Sequence, residues 1–391
     1  MRRVAVIGGG PAGARVAWRL GDAGLEATLF EPRTRFEKPC GGGIPGRGLA
    51  DYPFLRNPRL PARRVTRCVV IAPSGRRAEI RLAEPLLIFR RADLHEFLLE
   101  RAVASGAAVV AERVLGFARG TAGWTLDSGA GDARRLHGPF DFLVAADGAA
   151  GFARRRLTRA IPAAELTQGL GYYLPGVDEE TVTLRFYAGL DGYLWVFPRL
   201  DHAAVGICDT LGRRPAADLR ALLDRFVRAR YGADALDRAV GYAALIPGAP
   251  PAPDDATLQG DGWALAGDCG RAVDPLTREG IYFAMVSADL LADAIAAGRP
   301  GDYAPAWRTR MGHEFTWASR HAGRFFDPAF IERLVRLSDL SPQIAGVVAD
   351  LISGRQPYRT LRRRLLLAAP LVAWQAARRR PPPAVTSARD S

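Results

Sequence analysis

Lysine is almost missing from this chain. Of 54 basic residues among 391, Lys38 is the one lysine, so the formal net charge of +13 is an excess of arginine. Such an excess fits nucleic acid, an anionic membrane surface, phosphorylated ligands or plain codon usage, and position has to decide among them. Cysteine is scarce as well. Cys40, Cys68, Cys208 and Cys269 form no C-x-x-C pair, and the five histidines show no metal-ligand spacing. A disulfide framework and a structural zinc site therefore lack support. Met1-Arg2-Arg3 leads directly into Val4–Ile7 and then glycines. That apolar run is far too short for the central region of a signal peptide, so a cytoplasmic protein is expected. No internal repeat is present. With 48% hydrophobic and 24% charged residues the chain is globular, and its length predicts two or three structural units at roughly 150 residues each.

What is there begins at the first residues. Val4–Ile7 reads as a buried strand, followed by Gly8-Gly9-Gly10-Pro11-Ala12-Gly13, an apolar helix through Leu20 and a second strand, Ala27–Phe30, ending at Glu31. Gly8, Gly10 and Gly13 match G-x-G-x-x-G. Gly8 permits the tight turn, Gly10 lets the backbone approach a pyrophosphate, and Gly13 lets helix and strand pack closely, while Glu31 stands where an acid takes a ribose hydroxyl. The helix N-terminus then faces the phosphates. The alternative is a tight βα turn with no ligand.

The α/β alternation continues. Arg91 precedes a helical pattern with Leu94, Phe97, Leu98 and Ala102 on one face, and a strand is expected at Ala107–Val110. Strand-like segments fill Glu112 to Leu136, and a run from Asp141 to Ala146 ends in Asp147-Gly148. Alternating segments between about Thr167 and Ile207 predict an antiparallel sheet with a helix near Ala216 to Tyr231, hence an inserted domain. After a proline-rich crossing, Pro247 to Pro253, the strand Trp263–Ala266 ends in Gly267-Asp268 and returns the chain to the nucleotide domain. Thr277 is the expected N-cap of a helix over roughly Glu279 to Ala297. Helical patterns follow, and Pro381-Pro382-Pro383 begins a tail expected to be disordered.

The N-terminal glycine fingerprint, Arg91 ahead of a helix, Asp147-Gly148 and Gly267-Asp268 together resemble FAD enzymes with the p-hydroxybenzoate hydroxylase fold. Within that fold, Phe36-Glu37-Lys38-Pro39-Cys40-Gly41-Gly42-Gly43-Ile44, Tyr193-Leu194-Trp195-Val196-Phe197-Pro198 and Asp274-Pro275-Leu276-Thr277-Arg278-Glu279-Gly280-Ile281 resemble the geranylgeranyl reductase family, from Arg3 to about Ala297. The resemblance implies an α/β fold. A Rossmann-like FAD-binding domain (1–165 and 254–300) would carry an inserted antiparallel-sheet substrate domain (166–253), a C-terminal helical region (301–380) and a disordered tail (381–391). It implies FAD held by Gly8, Gly10, Gly13, Glu31, Arg33, Arg91, Asp147, Gly267, Asp268, Gly280 and Ile281. NADPH or ferredoxin would be the electron donor. The helix after Asp268 would aim its dipole at the flavin N1 and C2 carbonyl, where charge collects on reduction.

The implied reaction is reduction of isolated double bonds in an isoprenoid lipid chain. An isolated alkene has no carbonyl to receive charge, so ring faces that stabilise cationic carbon suit it better than an oxyanion hole. Tyr193, Trp195 and Phe197 alternate along a strand and are expected to wall an apolar tunnel, the bland reading being an aromatic sheet core. Cys40 or Tyr193 would supply the proton; a buried structural cysteine is the alternative for Cys40. Lys38 reads as a solvated charge. Three positions depart from the family: Arg278 for glycine, Gly151 for serine and His95 for aspartate. Two rival functions stand beside the reductase, a flavin monooxygenase or halogenase on the same fold and a non-enzymatic lipid-binding protein that has lost its flavin.

Position also decides the arginine question. Between Leu351 and Arg380 lie Arg355, Arg359, Arg362, Arg363, Arg364, Arg378, Arg379 and Arg380, with no acidic residue. They flank Leu365 to Trp374, a run too short to span a bilayer, which takes ~20 apolar residues. Interfacial docking on an anionic membrane is expected, with no nucleic-acid partner; a last helix packed on the protein's own core is the alternative, and Pro370 is expected to interrupt the helix either way.

Overall fold

The computed structural model describes residues 2–130, 133–248 and 255–378. Most of the proline-rich crossing, Arg379, Arg380 and the tail lie outside them. Strand Arg3–Ile7 is the heart of a six-stranded sheet in the order 259–260, 263–265, 142–145, 3–7, 26–30, 108–110. Its neighbours pair in parallel except for the short Gln259–Gly260 edge. Val4, Ala5, Val6, Leu143, Val144, Ala264 and Leu265 are fully buried, because both faces of this parallel sheet are covered, by helices and by a small antiparallel sheet, and its strands then read as continuous apolar runs. Helices Pro11–Asp22 and Ile281–Ala296 pack on each other and are tied by Arg15 Nε donating to Asp289 at 2.7 Å. The carboxyl ends of strands Arg3–Ile7, Glu26–Phe30, Phe142–Ala145 and Trp263–Leu265 share one edge. Gly8, Glu31, Asp147 and Asp268 follow them within one to three residues, where ligands bind in open α/β sheets.

The second sheet has eight strands in the order 240–247, 166–175, 202–210, 194–198, 182–185, 62–71, 77–89, 43–44. It is wider than the 166–253 segment expected to form it, because Ala62–Ile71, Arg77–Phe89 and Gly43–Ile44 join it from the first part of the chain. Val182–Arg185 pairs in parallel with Ala62–Ile71, which is the seam. Helix Ala216–Tyr231 covers one face through Leu219, Leu223 and Val227. A small antiparallel sheet of Arg113–Gly120, Gly123–Ala130 and Ala133–Phe140 packs on the first sheet: Trp124, Leu126 and Phe140 join its core, the Phe140 ring meets Phe30 edge-on, and Trp124 Nε1 donates to the Gly262 carbonyl at 2.7 Å.

Beyond Ala296 the chain is helical. Pro328–Leu340 and Pro342–Ile352 lay Ile331, Val335 and Val348 on Val65, Ile80, Leu82 and Leu86 of the second sheet. Two local expectations are corrected. Helix Ile281–Ala296 starts after Gly280, which has no side-chain cap bond, and Thr277 Oγ1 accepts only the Glu279 amide, at 3.4 Å; a tight loop from Asp274 to Gly280 intervenes. Pro370 lies inside a helix that runs from Tyr358 to Arg378, since one missing amide does not stop the ladder on either side.

That last helix is pinned at its start. The buried Tyr358 hydroxyl donates to both carboxylate oxygens of Asp274 (2.9 and 3.0 Å), and Asp274 Oδ1 also accepts the amides of Leu276 and Thr277. Tyr358→Phe removes one donor from a buried carboxylate, at a cost of about 1–3 kcal/mol. We expect a melting temperature a few degrees lower. Thermal unfolding checks it, and an unchanged midpoint would show that the pin contributes nothing.

Candidate active site

Turns at the strand ends form the nucleotide side of the site. Gly8 has φ +98°, and a Cβ there would stand 2.7 Å from the Ala146 carbonyl oxygen. A Cβ on Gly13 would come within 1.8 Å of the Gly8 carbonyl oxygen, so helix and turn touch only because both residues lack side chains. Gly10 instead faces open space, with nothing within 4 Å of a Cβ, directly before Pro11 opens a helix whose first amides are unpaired. Glu31 is buried and accepts the amides of Gly9 on Oε2 (2.8 Å) and Arg33 on Oε1 (3.0 Å). Each oxygen keeps a lone pair for a hydroxyl. His95 Nε2 meets the Arg33 carbonyl at 2.8 Å, and burial pushes its pKa below the ordinary value, leaving a neutral ring as donor.

Asp147 points away from this cradle. Its Oδ2 accepts the Ala153 amide at 2.8 Å and its Oδ1 the Cys269 thiol at 3.4 Å, capping helix Phe152–Leu157. A Cβ at Gly151 would stand 2.0 Å from Asp147 Oδ1, which accounts for glycine there. Gly267, at φ +64°, donates its amide to Ser287 Oγ (2.9 Å) and turns the chain into Asp268. Asp268 Oδ2 pairs with Lys38 Nζ at 3.1 Å. Lys38 is thus an ion-paired residue in the wall of a cavity, in place of the solvated charge expected of it.

That cavity, of about 690 Å³, joins the two halves of the molecule. On the nucleotide side its wall holds Pro11, Arg91, Asp268, Gly280 and Ile281. Cys40, Tyr193, Trp195 and Phe197 line its middle. An apolar arm runs on between Val70, Leu86, Val182 and Leu184 of the second sheet and Ile331, Val335, Val348 and Leu351 of the C-terminal helices. The Nε of Arg91 is buried with no partner. An open Gly10 cradle, an anchored acid at the next strand end and an unspent guanidinium on the cavity wall fit an FAD whose flavin reaches the cavity.

The two sequence boxes touch each other. A Cβ on Gly41 would stand 2.8 Å from Phe197 Cδ2, and one on Gly43 would stand 2.7 Å from Phe197 Cε1, so the ring lies against both glycines. Gly42, at φ +82°, donates its amide to Cys40 Sγ at 3.3 Å. On the same strand Trp195 lies over Gly206, whose absent Cβ would be 2.3 Å from Cζ2. The Tyr193 hydroxyl donates to the Thr277 carbonyl, and burial raises its pKa well above that of a free phenol.

Several residues of the site escape sequence reasoning. Arg199, its side chain wholly enclosed, donates from Nη1 to Glu37 and from Nη2 to the Cys40 carbonyl (2.6 Å). Glu37 also accepts the amides of Arg91 and Ala92 at 3.0 Å, capping helix Arg91–Ala104. Burial would raise the Glu37 carboxyl, but Arg199 and the two amides outweigh it and hold it below the usual range. Both residues sit inside or next to a box, which was the available signal. Arg47 pairs with Glu279 and lies 4.6 Å and 4.5 Å from the ring centroids of Tyr282 and Phe283. Burial raises the Glu279 carboxyl despite that partner. The C-terminal helices carry no motif, and only tertiary packing brings them to the cavity.

Similarity to known proteins agrees with this geometry. No family model matches the chain. It is 31% identical over 321 residues to a digeranylgeranylglycerophospholipid reductase of Methanoculleus marisnigri, covering 75% of this chain and 77% of that one. It is 30% identical over 328 residues to the chloroplastic geranylgeranyl diphosphate reductase of Nicotiana tabacum, covering 76% and 66%. A geranylgeranyl bacteriochlorophyll reductase-like protein of Thermoplasma acidophilum superimposes with a TM-score of 0.76 at 22% identity, over 93% of this chain and 98% of that one. A flavin-dependent brominase follows at 0.69 and 18%, over 96% and 99%. The fold and the cradle are those of FAD-dependent oxidoreductases. Within that class, the chain belongs to the geranylgeranyl reductase family.

The contact between the boxes is testable. Gly41→Ala drives a methyl into the Phe197 ring, and overpacking of this kind costs about 1–3 kcal/mol. The variant should purify with a reduced flavin-to-protein ratio, and Phe197→Leu in the same chain should restore it. Full flavin occupancy in the single variant, or no recovery in the double, would show the contact to be incidental.

Proposed function

We propose that this protein saturates isolated carbon–carbon double bonds of an isoprenoid chain. The single observation that carries the reading is the continuity of one cavity from Arg91, Asp268 and Gly280 to an apolar arm under the C-terminal helices. The names of the relatives support an isoprenoid as the substrate class. Gly8, Gly10, Gly13 and Glu31 take the adenosine half of FAD, with the Arg33 amide holding Glu31 in place, and Arg91, Asp268, Gly280 and Ile281 take the flavin half. Gly267 positions Asp268, and Asp147 acts through the turn it caps. When bound, FAD supplies hydride at N5, with NADPH or ferredoxin as the source of electrons. Trp195 and Phe197 exclude water and present ring faces to an alkene carbon that gains positive character. Cys40 delivers the proton: its thiol lines the cavity, whereas Tyr193 has committed its hydroxyl hydrogen to the Thr277 carbonyl. Tyr193 is therefore a positioning residue for the Asp274–Gly280 loop.

Lys38 in the cavity wall favours a second reading, a flavin monooxygenase or halogenase, since halogenases on this fold use a lysine. Its pairing with Asp268 weighs against a free amine. Turnover separates the two. Under anoxia, reduced protein given geranylgeranyl diphosphate should yield saturated product. Trp195→Ala should lose most of that turnover while retaining flavin, and Cys40→Ser should slow alkene reduction at least tenfold with normal flavin reduction. Oxygen consumption with hydroxylated or halogenated product and no saturation would replace this reading with the second.

We also propose that helix Tyr358–Arg378 docks on anionic membrane. Leu366 and Leu367 are 61% and 72% exposed beside the exposed Arg362 and Arg363. Each arginine near anionic lipid contributes about 1 kcal/mol. No helix among the described residues is long and apolar enough to cross a bilayer. Full-length protein should float with anionic vesicles and release in high salt, while Leu366→Ser/Leu367→Ser should not float. Truncation before Tyr358 is unsuitable, because it removes the pin on Asp274. Equal flotation of wild type and variant, or of neither, would leave these residues as a solvated face.

A further inference from the structure

We propose that Arg278 is the counter-ion of a carboxylate carried by the substrate, seated beside Tyr193 in the cavity. The inference rests on the isoprenoid reading above and narrows its substrate to a prenyl chain bearing an acid. Arg278 combines two unfavourable features. Its backbone is at φ +59°, in the left-handed region that glycine adopts freely and that costs other residues roughly 1–2 kcal/mol. Its guanidinium is also in the cavity wall with no carboxylate partner among the described residues. Nη1 donates to the Pro275 carbonyl, Nη2 to the Asp191 carbonyl at 3.2 Å, and Nε is buried and unpaired.

The other cations of the same wall show how unusual this is. Lys38 pairs with Asp268, Arg47 with Glu279, Arg310 with Asp51 and Arg359 with Glu314. Arg91, also without a carboxylate, belongs to the nucleotide side. Among the described residues, Arg278 is therefore the one arginine of this wall on the substrate side without a carboxylate partner. It lies close enough to Tyr193 and Cys208 for its charge to oppose the burial that raises both, and 6.0 Å from the Phe326 ring centroid. An unpaired charge in an apolar pocket is expensive, and here it also opposes positive character at an alkene carbon. A bound anion removes both penalties.

A guanidinium has five N–H donors in a planar fork, and a carboxylate matches that fork in shape and in its single charge. A diphosphate brings more charge than one arginine neutralises. The opposing account is a latch that ties the 274–280 loop to Asp191 and binds nothing.

Calorimetric titration of the flavin-loaded protein with geranylgeranoic acid, its methyl ester and geranylgeranyl diphosphate decides between them. Glycine suits the backbone at 278, so Arg278→Gly should fold. Wild type should bind the acid at least tenfold tighter than the ester. Arg278→Gly should bind both alike, with ester affinity within twofold of wild type, and Arg278→Lys should regain part of the preference. Equal binding of acid and ester by wild type would overturn the inference while leaving the isoprenoid reading intact. The same follows from a preference that survives in Arg278→Gly, from a diphosphate that binds tighter than the acid, or from joint loss of ester binding and thermal stability, the mark of a latch. Binding of none of the three would overturn both readings.

Discussion

The ring of Phe197 rests against Gly41 and Gly43, and much of the site depends on that contact. A side chain on either glycine would stand within 2.8 Å of the ring, so loop and strand approach only because both positions are bare. Arg199, two residues beyond Phe197, then holds the Cys40 carbonyl and the Glu37 carboxylate, which in turn caps the helix that begins with Arg91. One short strand of the second sheet thereby orders the cysteine loop and the arginine of the nucleotide side together. A buried guanidinium is stable only while its partners are in place. The cofactor side and the substrate side are therefore not independently deformable, and a change at either box is felt in the other.

Electrostatics shapes the cavity between those halves. Its lining is largely apolar, a poor medium for isolated charge, and most of its cations are neutralised locally, Arg47 by Glu279 in the floor and Lys38 by Asp268 at the nucleotide edge. Burial raises the pKa of Tyr193, which keeps its hydroxyl hydrogen donated to the Thr277 carbonyl. Against this background Arg91 and Arg278 stand out as charges still to be met.

Local features of the site were legible in the sequence because local rules produce them. Strand–glycine–helix periodicity placed Gly8, Gly10, Gly13 and Glu31, and the strand ends at Asp147 and Asp268 followed from apolar runs closed by turns. Those rules do not report what a carboxylate will face. Asp147 turns to its own helix, and Lys38, a lone charge in the sequence, meets Asp268 across 230 residues. The strands at 62–89 join the second sheet through parallel pairing with Val182–Arg185, and such pairing leaves no mark in the sequence. The glycine expected at 278 explains itself in the left-handed backbone there, and the arginine that replaces it signals a different demand on this chain.

The C-terminal helices tie the cavity to the protein's surface. Tyr358, in the cavity wall, is the first residue of the helix that carries Leu366 and Leu367. At 1.5 Å per residue those leucines stand about 12 Å further along the axis. A helix lying on a membrane through them sets the apolar arm beside the lipid, and the Tyr358 bond to Asp274 fixes that helix to the loop of Arg278 and Glu279. In the docking proposed above, that bond ties the membrane-facing helix to the loop in the cavity wall. Under that proposal an apolar chain would exchange lipid contacts for Val335, Val348 and Leu351 in the cavity wall, and the transfer would cost little of the hydrophobic free energy that holds such a chain in the bilayer.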